Sequence, residues 1–93
     1  MRFEWDQNKN LINIKKHQIS FEEAKTVFFD DNARLIPDPE HSIAEERFII
    51  LGYTIRLRIL VVVHSYKEND DLIRIISARK ATKSESKYYY EVK

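Results

Sequence analysis

The alternation of polar and aromatic residues over Arg2-Phe3-Glu4-Trp5 predicts a short strand, ended by Asp6, a good helix N-cap. A helix then runs from Asp6 to about Lys16, with Trp5, Leu11, Ile12 and Lys15 spaced for one apolar stripe. Ser20-Phe21-Glu22-Glu23 has the form of a capping box, in which Ser20 caps and Glu23 reaches back, and Ile19 is placed to staple onto Ala24. The second helix carries Phe21, Ala24, Val27 and Phe28 on one face and stops at Asp30-Asp31-Asn32. Trp5 and Phe21 are expected in the core.

From there the period changes to that of strands. Ala33-Arg34-Leu35-Ile36 is a short strand stopped by Pro37-Asp38-Pro39, and residues 40–45 are a loop. Strands follow over residues 46–53 and 55–65, with a turn near Tyr53-Thr54-Ile55-Arg56. A polar turn, Lys67-Glu68-Asn69-Asp70-Asp71, leads to the last strand, residues 72–79. Residues 81–92 form a terminal helix, capped by Thr82 with Glu85 at the reciprocal position. The order β-α-α-β-β-β-β-α makes the chain an α+β domain, read as one domain over residues 1–93. In the central strand Ile55, Leu57, Ile59, Val61 and Val63 share a face expected to pack on the helices. Arg56, Arg58, Leu60, Val62 and His64 share the other, and function is expected on that arginine-bearing side.

Composition narrows the class. The chain has no cysteine, which excludes disulfides and thiolate metal sites. Its longest apolar run, Ile59-Leu60-Val61-Val62-Val63, is far short of the roughly 20 residues that span a bilayer. With no signal-like start, a cytoplasmic location and no membrane contact are expected. Net charge is only +1, but acids collect between Glu22 and Glu46, and bases on Lys9, Lys15, Lys16, Arg56, Arg58, Arg74, Arg79, Lys80 and Lys83. Nucleic acid binding needs such a local basic surface, not a basic total.

Phe3-Glu4-Trp5-Asp6, Lys9, Asn13, Lys16-His17 and Ser20-Phe21-Glu22-Glu23-Ala24 resemble the first half of BrnT-family toxins. Glu46-Arg47, Gly52 and Arg58-Ile59-Leu60-Val61-Val62 resemble the central strands of that family. Arg74-Ile75-Ile76-Ser77-Ala78-Arg79-Lys80-Ala81, with Glu85 and Tyr89, resembles its closing signature. The resemblance implies a RelE-like fold: an antiparallel sheet with two N-terminal helices on one face and a C-terminal helix. It implies the toxin of a type II toxin–antitoxin pair, a metal-independent endoribonuclease that inhibits translation and needs no cofactor. It also implies neutralisation by a BrnA-type ribbon–helix–helix antitoxin in a hetero-oligomer, with operator DNA touched only through that partner. The alternative is a non-catalytic module that holds a DNA-binding partner. One departure is visible: family members tend to carry Gly in the turn before Arg58, where this chain reads Thr54-Ile55-Arg56-Leu57.

RNA cleavage of this kind needs a base for the 2′-hydroxyl proton, a cation for the phosphorane and an acid for the 5′-oxygen. Arginine, always charged and bidentate, suits the cation. Arg79 is the first choice for phosphate stabilisation, against an ion pair with Glu85 or Glu46. Arg58 is second, and Arg47, beside Glu46, third. His64 and Tyr89 complete the catalytic candidates, His64 because imidazole titrates near neutral pH and Tyr89 from its family position. Lys16, His17, Arg56, Lys80 and Lys83 are the RNA-binding candidates. Of Tyr88, Tyr89 and Tyr90, one or two face the core and the rest are free to stack on a base or bind a partner. His41 reads as a surface residue, and no ligand spacing suggests a metal site.

Overall fold

The computed structural model describes residues 1–37 and 46–91. Along them run β1 (Arg2–Glu4), α1 (Gln7–His17), α2 (Phe21–Ala24) continued by a 3-10 turn at Lys25–Phe29, β2 (Arg34–Pro37), β3 (Phe48–Tyr53), β4 (Ile59–Lys67), β5 (Leu72–Lys80) and α3 (Lys83–Glu91). This is the expected α+β order; the loop at 40–45, His41 and Val92 lie outside the described residues. The strands form one sheet, β1-β5-β4-β3-β2, antiparallel except where β1 runs parallel to β5.

The helix starts follow their capping residues. Asp6 accepts from the Asn8 and Lys9 amides (2.8 and 3.3 Å), and Ser20 accepts from the Glu23 amide (3.1 Å). Thr82 and Glu85 make the full reciprocal box: the Thr82 amide donates to Glu85 Oε1 (2.8 Å) and the Glu85 amide to Thr82 Oγ1 (3.2 Å). Glu23 departs from the expected box. Its carboxylate turns away from the Ser20 backbone toward Arg58 and Thr54, where it meets a full positive charge.

The inner face of α1 is polar, contrary to the expected apolar stripe. Leu11 and Ile12 are exposed, while Asn10 and Asn13 are buried. Asn13 Nδ2 donates to the Ile19 and Ala78 carbonyls (both 2.9 Å) and its Oδ1 accepts from the Ala78 amide (3.1 Å). Asn10 Oδ1 accepts from the Phe21 amide (2.8 Å). Two amides thus stitch α1 to β5 and α2 by satisfying backbone groups that burial would otherwise orphan.

The sheet faces are the reverse of the expectation. Leu60 and Val62 join Ile50, Ile75 and Ala78 under Ile19, Phe21, Ala24 and Val27 of the N-terminal helices. Val61 lies on the opposite side with Leu51, beneath Tyr89 of α3, with Ile49, Tyr53 and Ile59 around them. Ile55 and Leu57 belong to no strand and are 78% and 82% exposed. They sit in a three-residue turn, in which the Leu57 amide donates to the Thr54 carbonyl (2.9 Å) and the Thr54 amide to the Arg58 carbonyl (3.0 Å). Leu57 takes φ 62°, the left-handed conformation that favours glycine, within the turn where the resemblance implies a glycine. Gly52 is needed for a different reason: a Cβ there would lie 2.9 Å from Asp30 Oδ2 and 3.1 Å from Val27 Cγ1.

Candidate functional site

Two arginine forks frame one end of the sheet. Arg79, on the last turn of β5, donates Nη1 and Nη2 to the two oxygens of Glu85 (both 2.8 Å), joining β5 to the first turn of α3. Its neighbour across the strand pair is Val61, so it lies on the α3 face of the sheet. Arg58, closing the β3–β4 turn, donates Nε and Nη2 to the Glu23 carboxylate (2.7 and 2.6 Å) and Nη2 again to the Gln18 carbonyl (3.1 Å). The Arg79 guanidinium holds the Glu85 carboxyl down at about 2, and Arg58 holds Glu23 below the usual carboxylate range. Both acids are therefore carboxylates at neutral pH and fix the planes of their arginines.

The forks are not saturated. Arginine has five N–H donors. Arg79 commits one each of Nη1 and Nη2 to Glu85, and Nη1 to the Lys80 carbonyl (3.3 Å), so its Nε–H and one Nη2–H remain. Arg58 retains both Nη1 donors. At this end of the sheet opens a cleft lined by Tyr53, Leu57, Arg58, Ile59, Lys80 and Ser86; Arg79 is not in its lining but precedes Lys80 on β5, on the α3 face. Arg56 sits exposed in the turn that carries Leu57 and Arg58, and Lys83 is exposed at the start of α3. Through the Arg58–Gln18 bond the C-terminus of α1, with Lys16 and His17, abuts the same end. Among the described residues Lys16, Lys80 and Lys83 make no ion pair, and Arg56 reaches Glu23 only through its field, so this end of the molecule carries excess positive charge.

His64, Tyr89 and Arg47 lie elsewhere. His64 shares the sheet face of Arg58, Leu60 and Val62, as expected, but the N-terminal helices cover that face, and it is fully buried about 17 Å along β4 from Ile59, at roughly 3.3 Å per residue. It packs edge-on to Phe28 on the helix-covered face. Nδ1 donates to the Val62 carbonyl (3.2 Å), which leaves Nε2 to accept from the Tyr66 hydroxyl (3.2 Å). Burial pushes its pKa down to about 4, so it is a neutral core residue. A bulge in β5 opposite it, where Val63 faces Ser77 and His64 faces Ile75, sets its position. Arg47 is half-buried just before β3, at the end of the sheet remote from the cleft.

Tyr89 is buried beneath α3, where its hydroxyl donates to Asp30 Oδ2 (2.6 Å). Burial, reinforced by that carboxylate, pushes the phenol up to about 12. Burial opposes the Asp30 charge, but the bonds from Tyr89 and the Tyr53 and Asn32 amides prevail and hold its pKa below the usual range. Asp30 thus pins the far end of α3 as Glu85 pins its start. Sequence reasoning missed Asp30, Glu23 and Arg34, because each acts through a partner more than ten residues away. Among the described residues no three metal-ligating side chains cluster, and no helix is long and apolar enough to cross a membrane.

Residues 5–85 match a family of proteins described as the ribonuclease toxin BrnT of type II toxin–antitoxin systems. The fold is similar to that of the 1.1 Å crystal structure of the Brucella abortus ribonuclease toxin BrnT, with a TM-score of 0.69. That likeness covers 89% of this chain and 99% of the other at 24% sequence identity, and it bears on the fold. No curated protein matches the chain.

Proposed function

The chain belongs to the BrnT family of ribonuclease toxins of type II toxin–antitoxin systems, and from that premise we propose that it cleaves RNA at the cationic end of its sheet without a metal. The 2′-hydroxyl gives its proton to solvent water as its oxygen attacks the adjacent phosphorus, the 5′-oxygen leaves and takes a proton from water, and the products carry a 2′,3′-cyclic phosphate and a 5′-hydroxyl. Arg79 stabilises the phosphorane with its two uncommitted donors, and Arg58 holds the phosphate with its free Nη1. Because Glu85 and Glu23 already fix the two guanidinium planes, little reorganisation is needed as charge develops. Lys16, His17, Arg56, Lys80 and Lys83 draw the strand in. In this reading Tyr89 anchors α3, His64 fills the core, and Arg47 takes no step.

The observation that carries the proposal is a cleft lined by Arg58 and Lys80, with the half-exposed Arg79 next to Lys80 on β5, in a chain of this family. The antitoxin of a type II system is here proposed to be a BrnA-type ribbon–helix–helix protein that alone contacts operator DNA. Exposed Leu11 and Ile12 on α1 suit such a partner. The proposed substrate is messenger RNA, and with it goes a cytoplasmic location. Purified protein incubated with RNA in EDTA should give fragments with 2′,3′-cyclic phosphate ends. Cleavage that returns only with added magnesium would refute metal independence, and intact RNA under both conditions would refute the enzyme.

The occupied forks of Arg58 and Arg79 favour, as a second reading, a module that only holds a partner. Growth arrest on expression, relieved by the antitoxin, separates the toxin from that module.

A further inference from the structure

Beside the Arg79–Glu85 pair, between β2–β4 and α3, lies a second concavity that the cleavage proposal does not use. Its floor is Ile36, Ile49, Leu51 and Val61, and its walls are Tyr88 and Glu85. The cavity is about 160 Å³, and cavities of about 150 Å³ take one benzene-sized ring. It is too small for the face of a partner helix.

Its chemistry is that of a stacking site with charge at the rim. Tyr88 is 44% exposed, and the Arg34 guanidinium lies over its ring at 5.8 Å, fixing the plane of the aromatic wall. Among the described residues Arg34 has no carboxylate partner, unlike Arg58, Arg74 and Arg79. Glu85, the other wall, is the carboxylate that orients Arg79. An apolar slot flanked by two guanidinium groups complements a flat ring that bears a phosphate on either side. We propose that this groove is a nucleobase subsite, taking one unstacked base of single-stranded RNA beside the phosphate at Arg79, with Tyr88 as the stacking face. The assignment rests on the ribonuclease reading for which phosphate lies next to it.

The test uses the full chain and a fluorescein-labelled 2′-O-methyl RNA hexamer, which lacks the attacking hydroxyl and therefore binds without being cut. Fluorescence anisotropy should show Tyr88→Ala weakening the hexamer about tenfold, in the range of one lost base stack. Tyr88→Phe should restore most of that affinity, because the ring and not the hydroxyl supplies the face. Ser84→Trp, placed on the exposed first turn of α3 at the mouth of the groove, should fill it and weaken binding similarly. In cleavage assays the Tyr88→Ala loss should fall on KM. Equal hexamer affinity in all four proteins would overturn the subsite. So would a Ser84→Trp protein that keeps its RNA affinity but no longer captures the antitoxin, since the groove would then be the protein partner's. Tyr88-dependent hexamer binding by a chain that cuts no RNA would sink the ribonuclease reading and leave the subsite standing.

Discussion

Acidification should destabilise this protein well before its carboxylates titrate, because of His64. The imidazole is fully buried among Phe28, Phe48 and Tyr66, and its pKa falls to about 4. In the unfolded chain a histidine titrates near 6.5. Between those values the unfolded state binds the extra proton, so stability is full above pH 6.5 and is lost as pH falls toward 4. For a single group with these two values the loss between pH 7 and pH 5 is about 2 kcal/mol. Glu85, Glu23 and Asp30 have lowered values, so their contributions fade only near and below the ordinary carboxylate range. Across pH 7 to 5, the difference between the wild type and a His64 variant therefore reads the part of the loss that His64 causes. Urea unfolding of the wild type across that window should show the loss, and His64→Leu should flatten it. An unchanged unfolding free energy in the wild type, or an undiminished slope in His64→Leu, would refute the assignment of His64 as a neutral core residue.

Three further outcomes follow from local geometry. Leu57→Gly should raise stability by about 1 kcal/mol, because φ 62° costs an L-residue what it does not cost glycine; a lowered melting temperature would contradict this. Gly52→Ala should cost about 1–3 kcal/mol, read by thermal melting, since its Cβ would press on Asp30, Ala33 and Val27 at once. Arg58→Ala should lower stability by about 2 kcal/mol, because it strands the buried Glu23 carboxylate with Thr54 alone, and the double variant with Glu23→Gln should recover part of that loss.

The element order was legible because capping residues act locally: Asp6, Ser20 and Thr82 each find a partner within three residues. The sheet faces were not, because both sides of β4 are apolar. Leu60 and Val62 alternate with Val61 and Val63, and nothing in the alternation says which pair meets the N-terminal helices. The turn misled as well, since Ile55 and Leu57 extend the strand parity into residues that are exposed. Arg79 and its alternative partner Glu85 were both visible, six residues apart. Arg58 was visible but Glu23, 35 residues away, was not, since a fork across the fold leaves no periodic trace. Asn10 and Asn13 gave no signal of burial, because an amide is driven inward only by backbone groups that the fold itself creates.

The role of Arg79 admits the most direct measurement. RNA cleavage rate and melting temperature should be taken on the same preparations of wild type, Arg79→Ala and Arg79→Lys. Loss of one charge aimed at the transition state typically removes about 10²–10³ in turnover. Loss of a half-exposed ion pair costs stability only about 1 kcal/mol or less. Arg79→Ala should therefore melt close to the wild type yet cleave more slowly by about a hundredfold or more, with Arg79→Lys recovering only part because it lacks the planar fork. A folded Arg79→Ala protein that cleaves RNA at the wild-type rate would show that the Arg79–Glu85 pair merely fastens α3 to the sheet.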